Sequence, residues 1–331
     1  MYECLLHHET FTRLEARLKP FSDQITPVTV SDNSEIGRPW GEAAKGSALI
    51  AHGNADVWFS PASRAFGKYL YEADRLAWFQ SSAAGLENPF LQKIGEKAEA
   101  YTASHVQSEA IAEWVLWAGF DWFGNGAERR AGQAAKEWRH VHFREIQATR
   151  WLVYGFGHIG EAAGRRLRGL GAHVTGVRRS DQVSPFADRV VHPNDVSRDE
   201  IGQADAILLC APHTPETENL ADADFFAAMK EGSLFLNVGR GALVDEDALL
   251  KALDKGRPAH ATLDVTREEP LPEDSPIWTH PGITLTAHTS ALTSESRKRN
   301  DELFLENLSS FLNEAPLRNL IEKKDFAAQA V

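Results

Sequence analysis

The pattern of apolar positions divides the chain into two segments, in each of which short apolar runs alternate with helical patterns. In the first segment, short apolar runs of the strand type occupy residues 2–7, 25–30, 47–52 and 76–80. The stretch between the first two runs places Phe11, Leu14 and Leu18 on one helical face. Residues 31–46 are rich in Ser, Gly, Asp and Asn and are predicted to form a loop. Strands that alternate with helices predict a small parallel sheet.

The second segment shows the same alternation more clearly. Seven strand candidates occupy residues 151–154, 173–177, 189–192, 206–210, 233–238, 259–264 and 283–286. Helical patterns such as EAAGRRLRGL, DADFFAAMK and DEDALLKAL separate several of them. This rhythm predicts a doubly wound parallel sheet that is larger than the first one.

Two longer helices are also predicted. Residues 108–123 are strongly aromatic, and they form either a buried core helix or a helix that packs against a second subunit. After residue 291, an amphipathic helix carries Leu303, Leu308 and Phe311, which we expect to pack onto the first segment.

Composition and charge exclude several classes of protein. The 331 residues are 43% hydrophobic and 25% charged, which is typical of an ordinary globular chain. The net charge of −12 argues against binding to nucleic acid, and no apolar stretch is long enough to predict a membrane span. We find no secretory signal, and Cys4 and Cys210 are too few and too far apart for a disulfide framework or a structural zinc site. We therefore expect a cytoplasmic protein without a metal; the pair His140 and His142 lacks nearby ligand partners.

The most informative motif is the glycine-rich sequence WLVYGFGHIG. Gly155, Gly157 and Gly160 form G-x-G-x-x-G directly after a predicted strand and directly before a predicted helix. The first glycine makes a tight turn, the second lets a pyrophosphate approach the backbone, and the third lets the helix pack on the strand. The helix N-terminus then directs free N–H groups at the phosphates. This arrangement predicts a dinucleotide site whose other loop residues are Phe156, His158 and Ile159.

The end of the following strand indicates which dinucleotide is bound. An NAD-binding chain usually has an acidic residue there, which binds the ribose 2′-hydroxyl. Here the strand is followed by Arg178, Arg179 and Ser180. Two guanidinium groups and a hydroxyl suit a 2′-phosphate, so we expect NADP to be preferred, with NAD possible as a second cofactor.

Polar side chains follow three later strands of the second segment. Arg240 comes directly after the run 233–238, and His288 follows the run 283–286. Asp264 lies at the end of another run, with Glu269 five residues beyond it. In an open α/β sheet, ligands bind at the carboxyl ends of the strands, so these residues are candidates for a single site.

These motifs together resemble the D-isomer-specific 2-hydroxyacid dehydrogenase family. The resemblance runs through the glycine loop, APHTPET at 211–217, NVGRGALVDEDAL at 237–249, LDVTREEPLPEDSPIW at 263–278 and TAHTS at 286–290. The early SSAAGLENP and the C-terminal FLENLSSFLNEAPLRNLI are most similar to the glyoxylate/hydroxypyruvate reductase branch.

The resemblance implies that Arg240, Glu269 and His288 are the catalytic residues. Reduction of a 2-keto acid needs a hydride on the carbonyl carbon and a proton on its oxygen. His288 would donate the proton, because imidazole titrates near neutral pH. Glu269 would hold the ring in the required tautomer, and Arg240 would bind the substrate carboxylate and polarise the keto oxygen.

The resemblance also implies the binding residues. Further cofactor contacts would come from two later strand ends, at Ala211, Pro212, Val238 and Gly239. Asp264 would face the nicotinamide carboxamide, although a cap or turn role is the alternative. Backbone N–H groups at Ala84 and Gly85 would bind the substrate carboxylate.

The expected fold is α/β, with two doubly wound parallel-sheet domains. A Rossmann dinucleotide-binding domain (103–289) is inserted in a smaller flavodoxin-like substrate domain (1–102 and 290–331). The expected function is NADPH-preferring reduction of a small 2-keto acid by a homodimer. Two alternatives stay open: a dinucleotide-sensing protein of the corepressor type, and a dehydrogenase of larger 2-hydroxy acids.

Overall fold

The computed structural model describes residues 1–86, 88–180 and 182–327, and across these residues the chain divides into two compact units. Unit 1 runs from Met1 to Val106 and continues from Thr293 onward, while unit 2 runs from Gln107 to Leu292. Each unit is built on a β-sheet flanked by helices. The prediction of two parallel-sheet α/β domains is therefore confirmed.

The strands of the described residues are named here in chain order. They are β1 (Tyr2–His7), β2 (Ile25–Val30), β3 (Ile36–Gly37), β4 (Ala48–Gly53), β5 (Leu76–Ser81), β6 (Ala100–Thr102), β7 (Arg150–Tyr154), β8 (His173–Val177), β9 (Arg189–Val191), β10 (Ala206–Leu209), β11 (Leu234–Asn237), β12 (His260–Leu263) and β13 (Ile283–Leu285). The seven strands predicted in the second segment are all present, and their bounds differ from the prediction by at most one residue at either end.

The α-helices of the same residues are also numbered in chain order. They are α1 (His8–Leu18), α2 (Ala55–Trp58), α3 (Ser63–Glu72), α4 (Pro89–Lys97), α5 (Ser108–Phe123), α6 (Gly126–Ala134), α7 (His158–Gly169), α8 (Arg198–Gln203), α9 (Ala223–Ala228), α10 (Glu246–Leu253), α11 (Ser294–Leu312) and α12 (Lys323–Ala327). Within the described part of the chain, no helix is both long and apolar enough to cross a membrane.

The sheet of unit 1 has the order β3-β2-β1-β4-β5-β6 in the described residues. Its pairings are parallel except at the β3 edge, where Ile36 lies opposite Val30 in an antiparallel pair. Strand β3 falls inside residues 31–46, so the prediction of a loop is wrong at these two positions. A two-residue strand is too short for alternation of apolar and polar side chains to reveal it in the sequence.

Apolar side chains fill both faces of the unit 1 sheet. Along β1, Leu5 joins the core cluster on one face, whereas Cys4 and Leu6 join the cluster on the other, because successive strand side chains point to opposite faces. Helix α11 covers the second face, where Phe304 and Leu308 are fully buried. The helix predicted after residue 291 therefore packs within unit 1, as expected.

The sheet of unit 2 has the order β13-β12-β11-β10-β7-β8-β9, and its described pairings are all parallel. Trp151 and Val153 of β7 face one core cluster, and Leu152 and Tyr154 face the other. Helix α5 packs on the first of these faces with the bounds that the sequence predicts.

The strand order of unit 2 determines where a ligand can bind. Strand β7 lies between β10 and β8, so the chain leaves it in one direction for β8 and β9 and later returns to its other side. The carboxyl end of β7 is therefore the point at which the strand order reverses, and open α/β sheets bind ligands there. The glycine-rich loop begins at this point, directly after Tyr154.

Candidate functional site

The glycine-rich loop has the geometry that the sequence predicts. Gly155 has a φ of +91°, and a Cβ on it would lie 2.4 Å from the backbone nitrogen of Ala211. Only glycine fits there, because the turn uses a left-handed conformation and touches the neighbouring strand end. Gly157 is different, since a Cβ on it would meet no atom within 4 Å. It precedes α7, so open space lies directly above a helix N-terminus.

The ring of Phe156 fills the space beneath this loop. The side chain is fully buried, and a Cβ on Gly160 would lie 3.2 Å from its Cδ2 atom. A Cβ on Gly164 or Gly176 would lie closer still to the ring, at 2.8 Å and 2.4 Å. Phe156 can therefore offer a dinucleotide only its backbone, whereas His158 and Ile159 lie in the first turn of α7.

Arg178 follows β8 and is occupied by contacts within unit 2. Its Nη1 atom lies 3.1 Å from Oε1 of Glu161 and 3.3 Å from the carbonyl oxygen of Phe156. Its Nη2 atom donates to the carbonyl groups of Gln182 and Val183. The guanidinium group therefore fastens the turn after β8 to the glycine loop and the first turns of α7.

Arg179 and Ser180 are placed differently from Arg178. Both residues are exposed. Within residues 1–86, 88–180 and 182–327, no hydrogen bond to the Arg179 side chain is found. The basic end of β8 therefore combines one guanidinium group held by the protein with one that is open to solvent.

The loops after β10 and β11 lie against each other. A Cβ on Gly239 would be 2.8 Å from the carbonyl oxygen of Ala211, so the two loops are in direct contact. Asn237, which is fully buried, accepts a hydrogen bond from the Gly239 nitrogen at 3.0 Å and donates one to the carbonyl oxygen of Arg240 at 2.8 Å. Its side chain thereby fixes the turn that presents Arg240, and the sequence analysis did not identify this role.

Cys210 lies between β10 and Ala211, close to the glycine loop. Its Sγ atom lies 3.3 Å and 3.2 Å from the carbonyl oxygens of Tyr154 and Gly155. Burial raises the pKa of the thiol to about 12. The group is therefore a neutral thiol at physiological pH and has a packing role rather than a nucleophilic one.

Glu269 and His288 form the central pair of the site. The Nδ1 atom of His288 lies 2.8 Å from Oε2 of Glu269, while Oε1 accepts from the Thr266 nitrogen at 3.1 Å. Both side chains are partly exposed, so the pair is accessible to a small ligand. The structure thus brings together two of the three residues predicted to be catalytic, and Arg240 follows the strand next to that of Asp264 and Glu269.

Asp264 holds the loop that carries His288. Its buried carboxylate accepts hydrogen bonds from the Thr286 hydroxyl at 2.6 Å and the Thr289 nitrogen at 2.9 Å, and also from the nitrogen and hydroxyl of Ser290. Its backbone oxygen accepts from the His288 nitrogen at 2.8 Å. His288 itself has a φ of +53°, which an unsupported loop would rarely adopt. Thr286 and Ser290 are thus supporting residues that the sequence analysis missed; contact of Asp264 with a nicotinamide stays a prediction.

The remaining predicted residues lie elsewhere. Ala84 and Gly85 follow β5 in unit 1, and Ala84 is exposed. Pro212 and Val238 follow β10 and β11 in unit 2. Among the described residues, no group of three His, Cys, Asp or Glu side chains could hold a metal ion.

The fold and the site together define an α/β protein with a glycine-rich loop and a histidine–carboxylate pair at the same edge of a parallel sheet. The family described as "D-isomer specific 2-hydroxyacid dehydrogenase, NAD binding domain" matches residues 120–290, which is just over half of the chain. The chain therefore belongs to the D-isomer specific 2-hydroxyacid dehydrogenase family.

Three similar proteins illustrate this relationship. D-3-phosphoglycerate dehydrogenase 2 of Arabidopsis thaliana is 41% identical over 177 residues, which are 53% of this chain and 28% of the relative. Glyoxylate/hydroxypyruvate reductase B of Escherichia fergusonii is 33% identical over 201 residues, which are 60% of this chain and 56% of the relative. The chain thus spans from about a quarter to just over half of the length of these relatives.

The third protein is a solved structure. The NADPH-dependent glyoxylate/hydroxypyruvate reductase of Sinorhizobium meliloti was solved in complex with NADP and sulfate. It superposes with a TM-score of 0.77 over 99% of this chain and 100% of that chain. The identity of 21% means that this likeness establishes the fold alone.

The two kinds of glycine in the loop generate a prediction. In Gly157→Ala, we expect thermal stability to change little, since the added methyl group meets no protein atom within 4 Å. We expect the affinity for NADPH and NADH to fall about tenfold or more, because the methyl group would occupy space needed by the pyrophosphate. Titration calorimetry and thermal melts would measure both effects.

Gly169→Ala is the matched control, because its added methyl group also meets nothing within 4 Å and it lies at the far end of α7. Its cofactor affinity should equal that of the unmodified protein. Unchanged dinucleotide affinity in Gly157→Ala would contradict the assignment of this loop.

Proposed function

We propose that the protein reduces a small 2-keto acid with a nicotinamide dinucleotide, and that its substrate class is that of glyoxylate and hydroxypyruvate. The observation that carries this proposal is the 2.8 Å contact between Glu269 and His288 at the sheet edge that also holds the glycine loop. Similarity to relatives named glyoxylate/hydroxypyruvate reductase supports the substrate class.

The dinucleotide fits the residues that are present. The glycine turn, the open space above Gly157 and the N-terminus of α7 form a cradle for a pyrophosphate, with further contacts from the strand ends at Ala211, Pro212, Val238 and Gly239. When bound, the reduced nicotinamide supplies a hydride for the carbonyl carbon of the substrate.

His288 acts as the proton donor in this proposal. Glu269 accepts a hydrogen bond from the Nδ1–H group of His288, so the tautomer and the orientation of the ring are fixed. Nε2 is then the nitrogen that gives its proton to the carbonyl oxygen as that oxygen gains negative charge. The carbonyl carbon thus gains the hydride and the carbonyl oxygen gains the proton, which together give the 2-hydroxy acid.

Arg240 binds the anionic end of the substrate. Its position after β11 is fixed by Asn237, and a guanidinium group can form two parallel hydrogen bonds with a carboxylate. The same charge stabilises the developing negative charge on the keto oxygen. We assign unit 2 as the dinucleotide domain and unit 1 as the substrate domain, with Ala84 and Gly85 as backbone donors to the substrate carboxylate.

The enzymatic proposal predicts a specific loss in one variant. The purified protein should oxidise NADPH when given glyoxylate or hydroxypyruvate, and His288→Gln should lower kcat by about 10² to 10⁴-fold, which is the usual contribution of a general acid. The affinity for NADPH should stay within about twofold, since His288 is not part of the glycine loop. Steady-state absorbance assays and a binding titration would measure this.

His280→Gln is the control, because His280 also lies in unit 2 and its ring contacts only the exposed Asp254 and the backbone nitrogen of Gly282 among the described hydrogen bonds and ion pairs. Its kcat should stay at the level of the unmodified enzyme. Substantial turnover by His288→Gln would contradict the assignment of His288 as the proton donor. Tight NADPH binding without turnover on glyoxylate, hydroxypyruvate, pyruvate, phenylpyruvate or 3-phosphohydroxypyruvate would favour a dinucleotide-sensing protein.

We further propose that NADP is the preferred dinucleotide and that Arg179 contacts its 2′-phosphate. The Arg178 guanidinium is occupied by Glu161 and by backbone carbonyl groups, whereas the neighbouring Arg179 is exposed. Ser180 adds a hydroxyl donor beside it. Arg178 then has the supporting role of holding the turn that presents Arg179.

This division of roles between the two arginines is testable. Arg179→Ala should raise the KM for NADPH about tenfold or more and leave the KM for NADH within about twofold, because it removes a charge that pairs only with the 2′-phosphate. Arg178→Ala should weaken both dinucleotides, since it releases the turn itself. Equal effects of Arg179→Ala on the two cofactors would refute the assignment.

We also propose a homodimer formed through the exposed side of α5. Trp117 and Phe120 are 46% and 51% exposed on this helix, although its other side packs in the core. Large exposed aromatic side chains are enriched at subunit interfaces.

The dimer is tested by sedimentation equilibrium. The double variant Trp117→Asp/Phe120→Asp should sediment as a monomer, because two charges would be desolvated in the interface. Phe59→Asp, at an exposed aromatic residue of unit 1, should leave the dimer intact. A monomeric unmodified protein at micromolar concentration would overturn the proposal.

A further inference from the structure

Arg267 lies in the segment between Asp264 and Glu269, and no role in the proposed reaction has been assigned to it. Its Nη1 atom lies 2.8 Å from Oε1 of Glu218. Its Nη2 atom donates to the side chain of Asn219 and lies 3.1 Å from the carbonyl oxygens of Ala242 and Val244. One guanidinium group therefore contacts two other loops at the carboxyl edge of the sheet.

Each loop joined by Arg267 carries part of the site. We call them the β10 loop (211–219), which begins with Ala211 and Pro212, the β11 loop (238–244), which carries Arg240, and the β12 loop (264–270), which carries Arg267 itself and Glu269. Because guanidinium is planar and has several fixed N–H directions, it can hold acceptors from separate segments in one arrangement.

The backbone of these loops is joined at the same place. The Arg267 nitrogen donates to Oε1 of Glu246 at 2.7 Å, at the start of α10. The Asn219 nitrogen donates to the carbonyl oxygen of Ala242 at 2.9 Å. A Cβ on Gly241 would lie 1.9 Å from the carbonyl carbon of Thr266, so the β11 loop rests directly on the peptide that precedes Arg267.

The charges around Arg267 favour this arrangement at neutral pH. The hydrogen bond from Arg267 lowers the pKa of Glu218 below its usual value, and His213 acts in the same direction through its 2.5 Å contact with Oε2 of Glu218. Glu218 is therefore ionised. Both partners of the ion pair are partly exposed, so its effect on global stability is small and its main effect is on loop geometry.

We infer that Arg267 is a positioning residue that fixes Arg240 relative to the Glu269–His288 pair by clamping the β10, β11 and β12 loops together. Its Nη1 and Nη2 atoms are used by protein acceptors, so it acts on the substrate through Arg240 and Glu269. This inference rests on the proposed 2-keto acid reduction for its kinetic consequence, whereas its structural consequence can be measured without turnover.

The test compares three variants with the unmodified protein. Arg267→Met keeps the length of the side chain and removes its hydrogen-bond donors, and Arg267→Lys keeps the charge but cannot reach all four acceptors at once. Arg189→Met is the control, since Arg189 is an exposed arginine of the same unit that pairs with Glu200 at the opposite, amino-terminal edge of the sheet.

The first readout is kinetic. In Arg267→Met, kcat/KM for glyoxylate should fall about ten- to a hundredfold through both a higher KM and a lower kcat, because a small misplacement of the binding and proton-donating groups is costly. Arg267→Lys should recover part of this loss. The melting temperature should change no more than in Arg189→Met, because the exposed ion pair contributes little to global stability.

The second readout is hydrogen–deuterium exchange of the protein without substrate. Amides of the β10 and β11 loops should exchange faster in Arg267→Met than in the unmodified protein. Their exchange rates in Arg189→Met should equal those of the unmodified protein. If amides exchange faster in Arg267→Met but the unmodified protein does not reduce glyoxylate, the structural role of Arg267 is supported and the proposed function is refuted. Unchanged exchange in Arg267→Met, or kcat/KM within about twofold of the unmodified enzyme, would overturn the role of Arg267.

Discussion

The buried carboxylate of Asp264 is the interaction on which the rest of the site depends. It accepts hydrogen bonds from Thr286, Thr289 and Ser290, and these bonds hold the loop in which His288 adopts a left-handed backbone conformation. A carboxylate can be buried only when its lone pairs are satisfied, so the loop and the carboxylate stabilise each other. The position of the His288 ring, and with it the contact to Glu269, follows from this arrangement.

Parallel strand topology explains why residues so distant in sequence lie at the same edge of one sheet. Gly155, Arg240, Asp264 and His288 each follow a different strand of the unit 2 sheet, and parallel strands all end at the same edge. The cores on the two faces of that sheet keep the strands in register. The loops are then free to differ in length and chemistry, while their starting points stay fixed.

Much of this arrangement could be predicted from the sequence, and the remainder has a common physical reason. The strands of unit 2 were predictable because apolar runs bounded by turns are local signals. The glycine loop was predictable because a tight turn and a close helix–strand contact require glycine at positions such as Gly155 and Gly160. The Glu269–His288 contact followed from a family resemblance. The partners of Arg178 and Asp264 could not be predicted, because they depend on which loops the folded sheet brings together, and no local pattern encodes that. The two-residue strand β3 was missed since it is too short to have a period.

The packing around Phe156 has a consequence for how this loop can change. Its ring occupies volume that the missing side chains of Gly160, Gly164 and Gly176 leave empty, and these glycines come from a helix and from a neighbouring strand. The four positions therefore share a fixed volume, in which a gain at one must be matched by a loss at another. Substitutions at these positions are therefore coupled, and a larger side chain at one of them is tolerated only together with a smaller side chain at another.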